Sequence, residues 1–147
     1  MYPDHDDPLG GEPREGSRSG ALLDISNEIV RLYKDQFGRG PTHARTNWAG
    51  PDTLITTLEN TLTRAERNLA AMGEHQRLRD TRMFFQYADI KKVCEPIEPI
   101  TGRRVRSFIS GIDTAVDGLS VELFILHPAG SDAASRTEHT DGTAIRG

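Results

Sequence analysis

The sequence contains a single cysteine, Cys94, and no apolar run of the roughly 18 residues that a membrane-spanning helix needs. One cysteine excludes an internal disulfide and a CxxC metal-binding knuckle. The first residues are acidic, whereas a secretory signal begins with basic and then apolar residues, so we expect no signal peptide. Together these absences predict a soluble, cytoplasmic protein.

Aliphatic residues are scarce at both ends of the chain. Residues 1–20 contain one aliphatic side chain, Leu9, among many Pro, Gly, Asp and Glu residues, and residues 128–147 are similarly polar. Such segments bury too little apolar surface to offset the entropy that ordering costs. We therefore predict disordered tails at 1–20 and 128–147 around one domain at 21–127.

Charge of one sign is also missing from the central part. Residues 1–20 hold two arginines against five acidic residues, and residues 128–147 hold two against three, so residues 21–127 are neutral. Non-specific binding of nucleic acid needs a strong positive field. The neutral domain therefore argues against nucleic acid as a partner.

Helical patterns begin near residue 22. Residues 22–37 place apolar side chains at helical spacing, and Gly38 follows where a helix C-terminus favours glycine. Thr63 and Glu66 have the spacing of a capping box, which predicts a short helix that runs to Met72. Residues 75–95 then predict a longer helix with one apolar stripe, formed by Met83, Tyr87, Ile90, Cys94 and Ile97.

Two pairs of segments have strand character. Residues 42–48 and 53–59 flank a Gly-Pro turn, and residues 104–112 and 119–127 flank an Asp-Gly turn, so each pair predicts a β-hairpin. The order α-ββ-αα-ββ predicts an α+β fold, in which one four-stranded antiparallel sheet carries its helices on one face. The stripe of the first helix steps like a heptad and could face a partner subunit as readily as its own sheet, so we expect a homodimer through apolar helix faces.

Motifs for catalysis and metal binding are lacking. The segment FGRGPTHARTNW leaves a helix and enters a strand, the reverse of a phosphate-binding loop, so its glycines indicate a helix end. The histidines never pair at helical spacing, and Cys94 falls on an apolar helix face, where an inert thiol is expected. We predict no catalytic residue, metal or cofactor, and no enzyme. A deep pocket with a perturbed carboxylate or histidine would reverse the last prediction.

Residues 77–106 are locally basic, with eight Arg or Lys residues against four acidic ones. If these side chains converge, they form a patch for an anionic partner, a phosphate-bearing ligand or a membrane surface. If they do not, they form a solvated helix face that is paired with the neighbouring acids. The sequence leaves both alternatives open.

Several short motifs follow one another along the chain: Gly38-Arg39-Gly40-Pro41, Leu62-Thr63-x-x-Glu66, Arg79 with Arg82, Thr101-Gly102-Arg103 and Glu122-x-Phe124-x-Leu126. In this order they resemble the MpsC family, whose label refers to a sodium-translocating, membrane-potential-generating system. The resemblance covers residues 21–127. It departs from the family at residues 94–99, where two prolines interrupt a helix that usually continues into the Thr-Gly pair.

The resemblance implies a non-enzymatic, soluble accessory or regulatory protein that is associated with cation transport or membrane potential. It implies a position peripheral to the inner face of the membrane, in association with a transport complex, and it provides no catalytic residue to transfer. The arginines within the motifs, together with the local positive charge, suggest a shared binding surface of Arg39, Arg79, Arg82 and Arg103. The alternative is a regulator that binds a small ligand or nucleic acid through the same basic patch.

Overall fold

Four antiparallel strands form one sheet in the order β1-β2-β4-β3. The computed structural model describes residues 15–139. Their elements, in chain order, are α1 (Glu15–Phe37), β1 (His43–Trp48), β2 (Thr53–Glu59), α2 (Arg64–Ala71), α3 (His75–Ala88), α4 (Ile90–Cys94), α5 (Ile97–Thr101), β3 (Val105–Asp113), β4 (Leu119–Leu126) and a 3-10 turn at Arg136–Glu138. The predicted α+β class, with a four-stranded antiparallel sheet, is confirmed.

One face of the sheet, here called the inner face, carries the core. Alternation along β2 turns Leu54 and Leu58 inward, and alternation along β4 does the same for Phe124. Helix α1 covers these side chains, and α3, α4 and α5 continue the layer. The buried apolar cluster comprises Ile25, Ile29, Tyr33, Leu54, Leu58, Ile90, Cys94, Ile97, Val105, Phe108, Phe124 and Leu126.

The local signals for turns and helix ends are confirmed. Both predicted hairpins form, and the Thr63 hydroxyl accepts from the Glu66 amide while the Glu66 carboxylate accepts from the Thr63 amide. Gly38 has φ +80° and donates its amide to the Lys34 carbonyl, 2.9 Å away, which ends α1. Such conformations suit glycine because it has no Cβ.

The predicted single helix at 75–95 is two helices in the structure, because the chain leaves helical geometry at Asp89 (φ −111°, ψ 33°). The Phe85 carbonyl, which a continuous helix would pair with the Asp89 amide, accepts a hydrogen bond from Gln36 of α1 at 2.9 Å. A tertiary contact therefore accompanies the break. The inward residues of α3 also differ from the predicted stripe, since Leu78, Arg82 and Gln86 are buried and Met83 and Tyr87 are half-buried.

The predicted tails differ from the structure where it describes them. Helix α1 begins at Glu15. Helical geometry therefore extends over polar residues that precede the apolar stripe and that were expected to belong to the tail. At the other end, Ser135 is buried and donates its hydroxyl to Glu98 at 2.6 Å, and Arg104 donates to the Ala133 carbonyl at 2.7 Å. Hydrogen bonds, which an apolar count misses, therefore order residues 128–139. The remaining tail residues, 1–14 and 140–147, lie outside the described residues.

Candidate functional site

Polar side chains interrupt the apolar inner face near the middle of β4. Glu122 is 1% exposed, and its Oε2 accepts hydrogen bonds from the Tyr33 hydroxyl at 2.5 Å and the Gln86 amide at 2.7 Å. The same Gln86 amide also donates to the Tyr33 oxygen at 2.9 Å. We call these three residues the Glu122 cluster; it joins α1, α3 and β4.

The second oxygen of this carboxylate lacks a partner. Glu122 Oε1 makes no hydrogen bond, and neither does the buried hydroxyl of Ser110, the residue directly opposite on β3. Unpaired polar atoms in a protein interior are costly. A proton on Glu122 would reduce that cost, because it would remove the charge and supply a donor.

Burial controls the protonation of the cluster. Loss of water around Glu122 raises its pKa to about 7, against the lowering effects of the Tyr33 hydrogen bond and the Arg82 charge. Burial also raises the pKa of Tyr33 well above its usual value, and the neighbouring Glu122 adds to this. Glu122 therefore changes its protonation near neutral pH, whereas Tyr33 remains a neutral donor.

A second polar group, here called the Arg82 cluster, comprises Phe37, Thr61, Glu66 and Arg82. Arg82 is 0% exposed, and its Nη2 lies 2.6 Å from Glu66 Oε1 while its Nε donates to Glu66 Oε2 at 3.1 Å. Its other donors bind the Thr61 hydroxyl at 3.1 Å and the Thr61 carbonyl at 3.0 Å. The guanidinium carbon also lies 4.2 Å from the centre of the Phe37 ring.

Glu66 has two roles in this cluster, since it closes the capping box of α2 and pairs with Arg82. Burial by itself raises the pKa of Glu66, but the hydrogen bonds from Arg82 and Thr63 outweigh burial, and the net pKa is lowered. Glu66 is therefore ionised at neutral pH, and the two charges compensate each other.

A pocket of about 200 Å³ opens between α1 and the α3–α4 segment. Tyr33 and Gln86 of the Glu122 cluster contribute to its wall, whereas Glu122 lies behind them and does not line it. Its full lining is Ile29, Leu32, Tyr33, Asp35, Gln36, Gln86, Asp89, Lys92 and Val93. Binding sites for drug-sized ligands typically measure about 300–1,000 Å³, so this pocket suits a smaller occupant.

The four arginines that the sequence singled out lie in different environments. Arg39 donates to the carbonyls of Asn60 at 3.0 Å and Leu62 at 2.6 Å, so it converges with Arg82 on the loop after β2. Arg79 is exposed on α3, where its guanidinium donates to Gln76 at 3.3 Å.

Arg103 lies at the opposite end of β2 from Arg39 and Arg82. It donates to the carbonyls of His127 and Pro51 and pairs with Asp52 at 2.5 Å. The seven residues of β2 separate the two groups by roughly 20 Å. The expected surface of four exposed arginines is therefore not formed as one patch, and Arg82 cannot belong to any surface because it is buried. A binding role for Arg39, Arg79 or Arg103 stays a prediction.

Comparison with known proteins connects this fold with a family. The family model described as "Na+-translocating membrane potential-generating system (MpsC)" matches residues 21–128. The chain belongs to the MpsC family. No curated protein and no solved structure matches it. Membership connects the chain with Na⁺-related membrane potential systems.

The described part of this MpsC-family chain has no helix that is long and apolar enough to cross a membrane. Residues 15–139 also contain no cluster of three or more His, Cys, Asp or Glu residues that could hold a metal ion. Cys94 is buried, and burial raises the pKa of its thiol to about 12. A thiol with that pKa is a poor nucleophile at neutral pH.

Sequence reasoning missed the Glu122 cluster in this family member. One signal was present, because strand alternation gives Glu122 the same orientation as Phe124 and Leu126, and an acid among inward-facing apolar residues indicates a buried carboxyl group. Its partners Tyr33 and Gln86 lie 89 and 36 residues away along the chain. No local pattern could identify them.

Proposed function

We propose that this MpsC-family chain is a non-enzymatic accessory or regulatory component of a Na⁺-related membrane potential system, peripheral to the membrane. The observation that carries the proposal is that the reactive side chains bind one another inside the protein. Glu66 and Arg82 neutralise each other, and the Tyr33 hydroxyl is occupied by Glu122 and Gln86. The perturbed carboxyl of Glu122, the feature that would favour an enzyme, does not reach the pocket.

The alternative, a regulator that binds a ligand or nucleic acid through the basic stretch, has weaker support. Arg77 lies 3.5 Å from Glu74 and Lys91 lies 3.8 Å from Glu95, so acids on the same helices offset part of this charge. The charge left for a partner is therefore modest. Arg79, which is exposed and makes no ion pair among the described residues, is the part of the stretch best suited to an anionic surface.

Fractionation of cells from the source organism tests the peripheral association. We expect part of the protein to sediment with membranes and to leave them in high salt or alkaline carbonate, because salt screens charges at exposed contacts. We also expect Arg79→Gln to lower the membrane-bound fraction several-fold. The matched control is Arg31→Gln, which removes one positive charge from an exposed position on α1.

Two results would contradict the proposal. A protein that stays entirely in the supernatant at low salt is not associated with a membrane complex, and a protein that resists carbonate is not peripheral. Equal loss of binding in the Arg79 and Arg31 variants would instead indicate a general charge effect, and would remove Arg79 from the proposed contact.

A further inference from the structure

The face of the sheet opposite the helices, here called the outer face, is unusually apolar. An antiparallel sheet with one solvated face normally alternates apolar and polar residues. In β4, however, the inward residues alternate with Leu119, Val121, Leu123 and Ile125. The central strand therefore carries aliphatic side chains on its outer face as well.

The register extends this apolar area across three strands. Leu123 lies opposite Ile55 of β2 on one side and opposite Ile109 of β3 on the other. Ile109 is 56% exposed and Leu119 is 36% exposed. Six aliphatic residues thus share one area, and the described helices pack on the opposite face of the sheet.

The parts of the chain outside the described residues are poor candidates for covering this area. Residues 1–14 and 140–147 read MYPDHDDPLGGEPR and TDGTAIRG, with Leu9 and Ile145 as their large aliphatic residues. Two such residues cannot match six. A second molecule can supply a cover of similar size and apolarity.

The two edges of the outer face carry charges of opposite sign. Arg45 lies on edge strand β1, opposite Thr57, and His43 lies two residues before it. Asp113 lies on the other edge strand, β3, opposite Leu119. The face therefore has a basic edge, an apolar centre and an acidic residue at the far edge.

We propose that the outer face is the interface of a homodimer, in which two sheets stack about a twofold axis parallel to the strands. That operation places β1 over β3 of the second copy and β2 over its β4. Ile55 then meets the second copy's Leu123 in the same row. His43 lies over the second copy's Asp113, and Arg45 lies two residues further along β1, over its Gly111. Stacked sheets lie about 10 Å apart, a gap that long side chains from both copies fill.

The remaining charges near this face are compatible with the arrangement. Glu59 lies beside His43 in the same sheet, so that its charge has a local basic neighbour. Arg106 lies next to the bulge of β3, at the end of that strand away from Asp113. The same operation places Arg106 near the β1–β2 turn of the second copy, where Asp52 is paired with Arg103.

The size of the face sets the expected affinity. Four strands and about seven residues per strand cover about 450 Å² per copy, which is below the roughly 800 Å² per partner of standard interfaces. We therefore expect a dissociation constant in the micromolar range. The stripe of α1 that the sequence offered for an interface is occupied within the chain, because Ile25, Ile29 and Tyr33 pack into the core.

Light scattering and sedimentation equilibrium of the purified chain test the proposal. We expect a concentration-dependent dimer, and an increase of more than tenfold in its dissociation constant in Ile109→Lys, which places a charge in the apolar centre. The matched control is Leu23→Lys, because Leu23 is 60% exposed on α1, on the opposite side of the sheet from this centre. We expect this control to dimerise like the wild type.

A charge exchange tests the twofold arrangement itself. Arg45→Asp and Asp113→Arg should each raise the dissociation constant several-fold, and the double variant should return it to near the wild-type value. Asp113 also accepts a hydrogen bond from the Ala115 amide within its own turn. If the effect of Asp113→Arg came only from the loss of that hydrogen bond, adding Arg45→Asp would not reverse it. A monomeric wild type at high micromolar concentration, a dimer insensitive to Ile109→Lys, or a double variant without rescue would each overturn the proposal.

Discussion

At the scale of single residues, Glu122 is the most unusual group in the described chain. It is a carboxyl group surrounded by the core, with two donors on one oxygen and none on the other. Its ionised form is disfavoured because the interior solvates charge poorly, and the nearest compensating charge, Arg82, is already paired with Glu66. The folded state therefore favours the protonated acid.

This preference predicts a specific dependence of stability on pH. The pKa of Glu122 rises from an ordinary 4.5 to about 7 on folding, so the folded state binds more protons between these values. The free energy of unfolding should fall as pH rises through that window and then level off, by up to about 3 kcal/mol from this group. Glu122→Gln should lose this decline, because its amide keeps an acceptor for Tyr33 and Gln86 without a charge.

Urea unfolding at a series of pH values measures this effect. The difference in free energy of unfolding between Glu122→Gln and the wild type should shift in favour of the variant from pH 4 to pH 8. Glu95→Gln serves as the control, because it removes an exposed carboxylate at the end of α4 rather than a buried one. A curve for Glu122→Gln that runs parallel to the wild-type curve would contradict the prediction, because it would mean that Glu122 has the same pKa in the folded and unfolded states.

At the scale of elements, Arg82 joins separate parts of the chain through polar contacts. Helix α2 has no fully buried residue, and its position depends on Glu66, which Arg82 of α3 binds through two donors. Arg82 also holds the loop after β2 through Thr61. One guanidinium thus connects α3, α2 and the end of a strand.

Arg82→Ala should therefore be strongly destabilising. Its removal leaves Glu66 without a counter-charge and the Thr61 carbonyl without this donor, and loss of one partner in a buried pair costs about 3–5 kcal/mol. Arg79→Ala, at an exposed position on the same helix, should change stability by no more than about 0.5 kcal/mol. Denaturant unfolding of both variants measures the difference, and similar values would contradict the role assigned to Arg82.

The elements also show what a sequence can predict. Gly38 and the Thr63–Glu66 box were predictable because a helix end depends on residues within one turn of it. The break at Asp89 was not, and the side chain that binds there, Gln36, lies 53 residues away on another helix. The buried role of Arg82 was missed for the same reason, because a charge run indicates solvation unless the partner of each charge is known.

At the scale of the whole molecule, the α+β class followed from the grouping of hairpins and helices, whereas the strand order β1-β2-β4-β3 did not. The pairing of β2 with β4 joins segments that are separated by the helices, and alternation cannot specify which strands become neighbours. The alternation along β4 did show that both of its faces carry apolar residues. Which of the two faces is left uncovered depends on where the helices pack.

The family match adds a context that geometry does not supply. A chain whose described residues contain no membrane-crossing helix belongs to a family described by Na⁺ translocation and membrane potential. The peripheral accessory role that we propose is compatible with both observations. In that proposal, the buried clusters hold α1, α2 and α3 on the sheet, and the exposed surfaces are left to contact other molecules.

The most direct test is the membrane potential of cells that lack this protein, recorded with a potential-sensitive dye after a pulse of Na⁺. The account predicts a reduced Na⁺-dependent potential that the wild-type chain restores. Arg79→Gln, which should fold normally, should restore it less well than Arg31→Gln. A Na⁺-dependent potential that is unchanged in cells without the protein would contradict the proposed function.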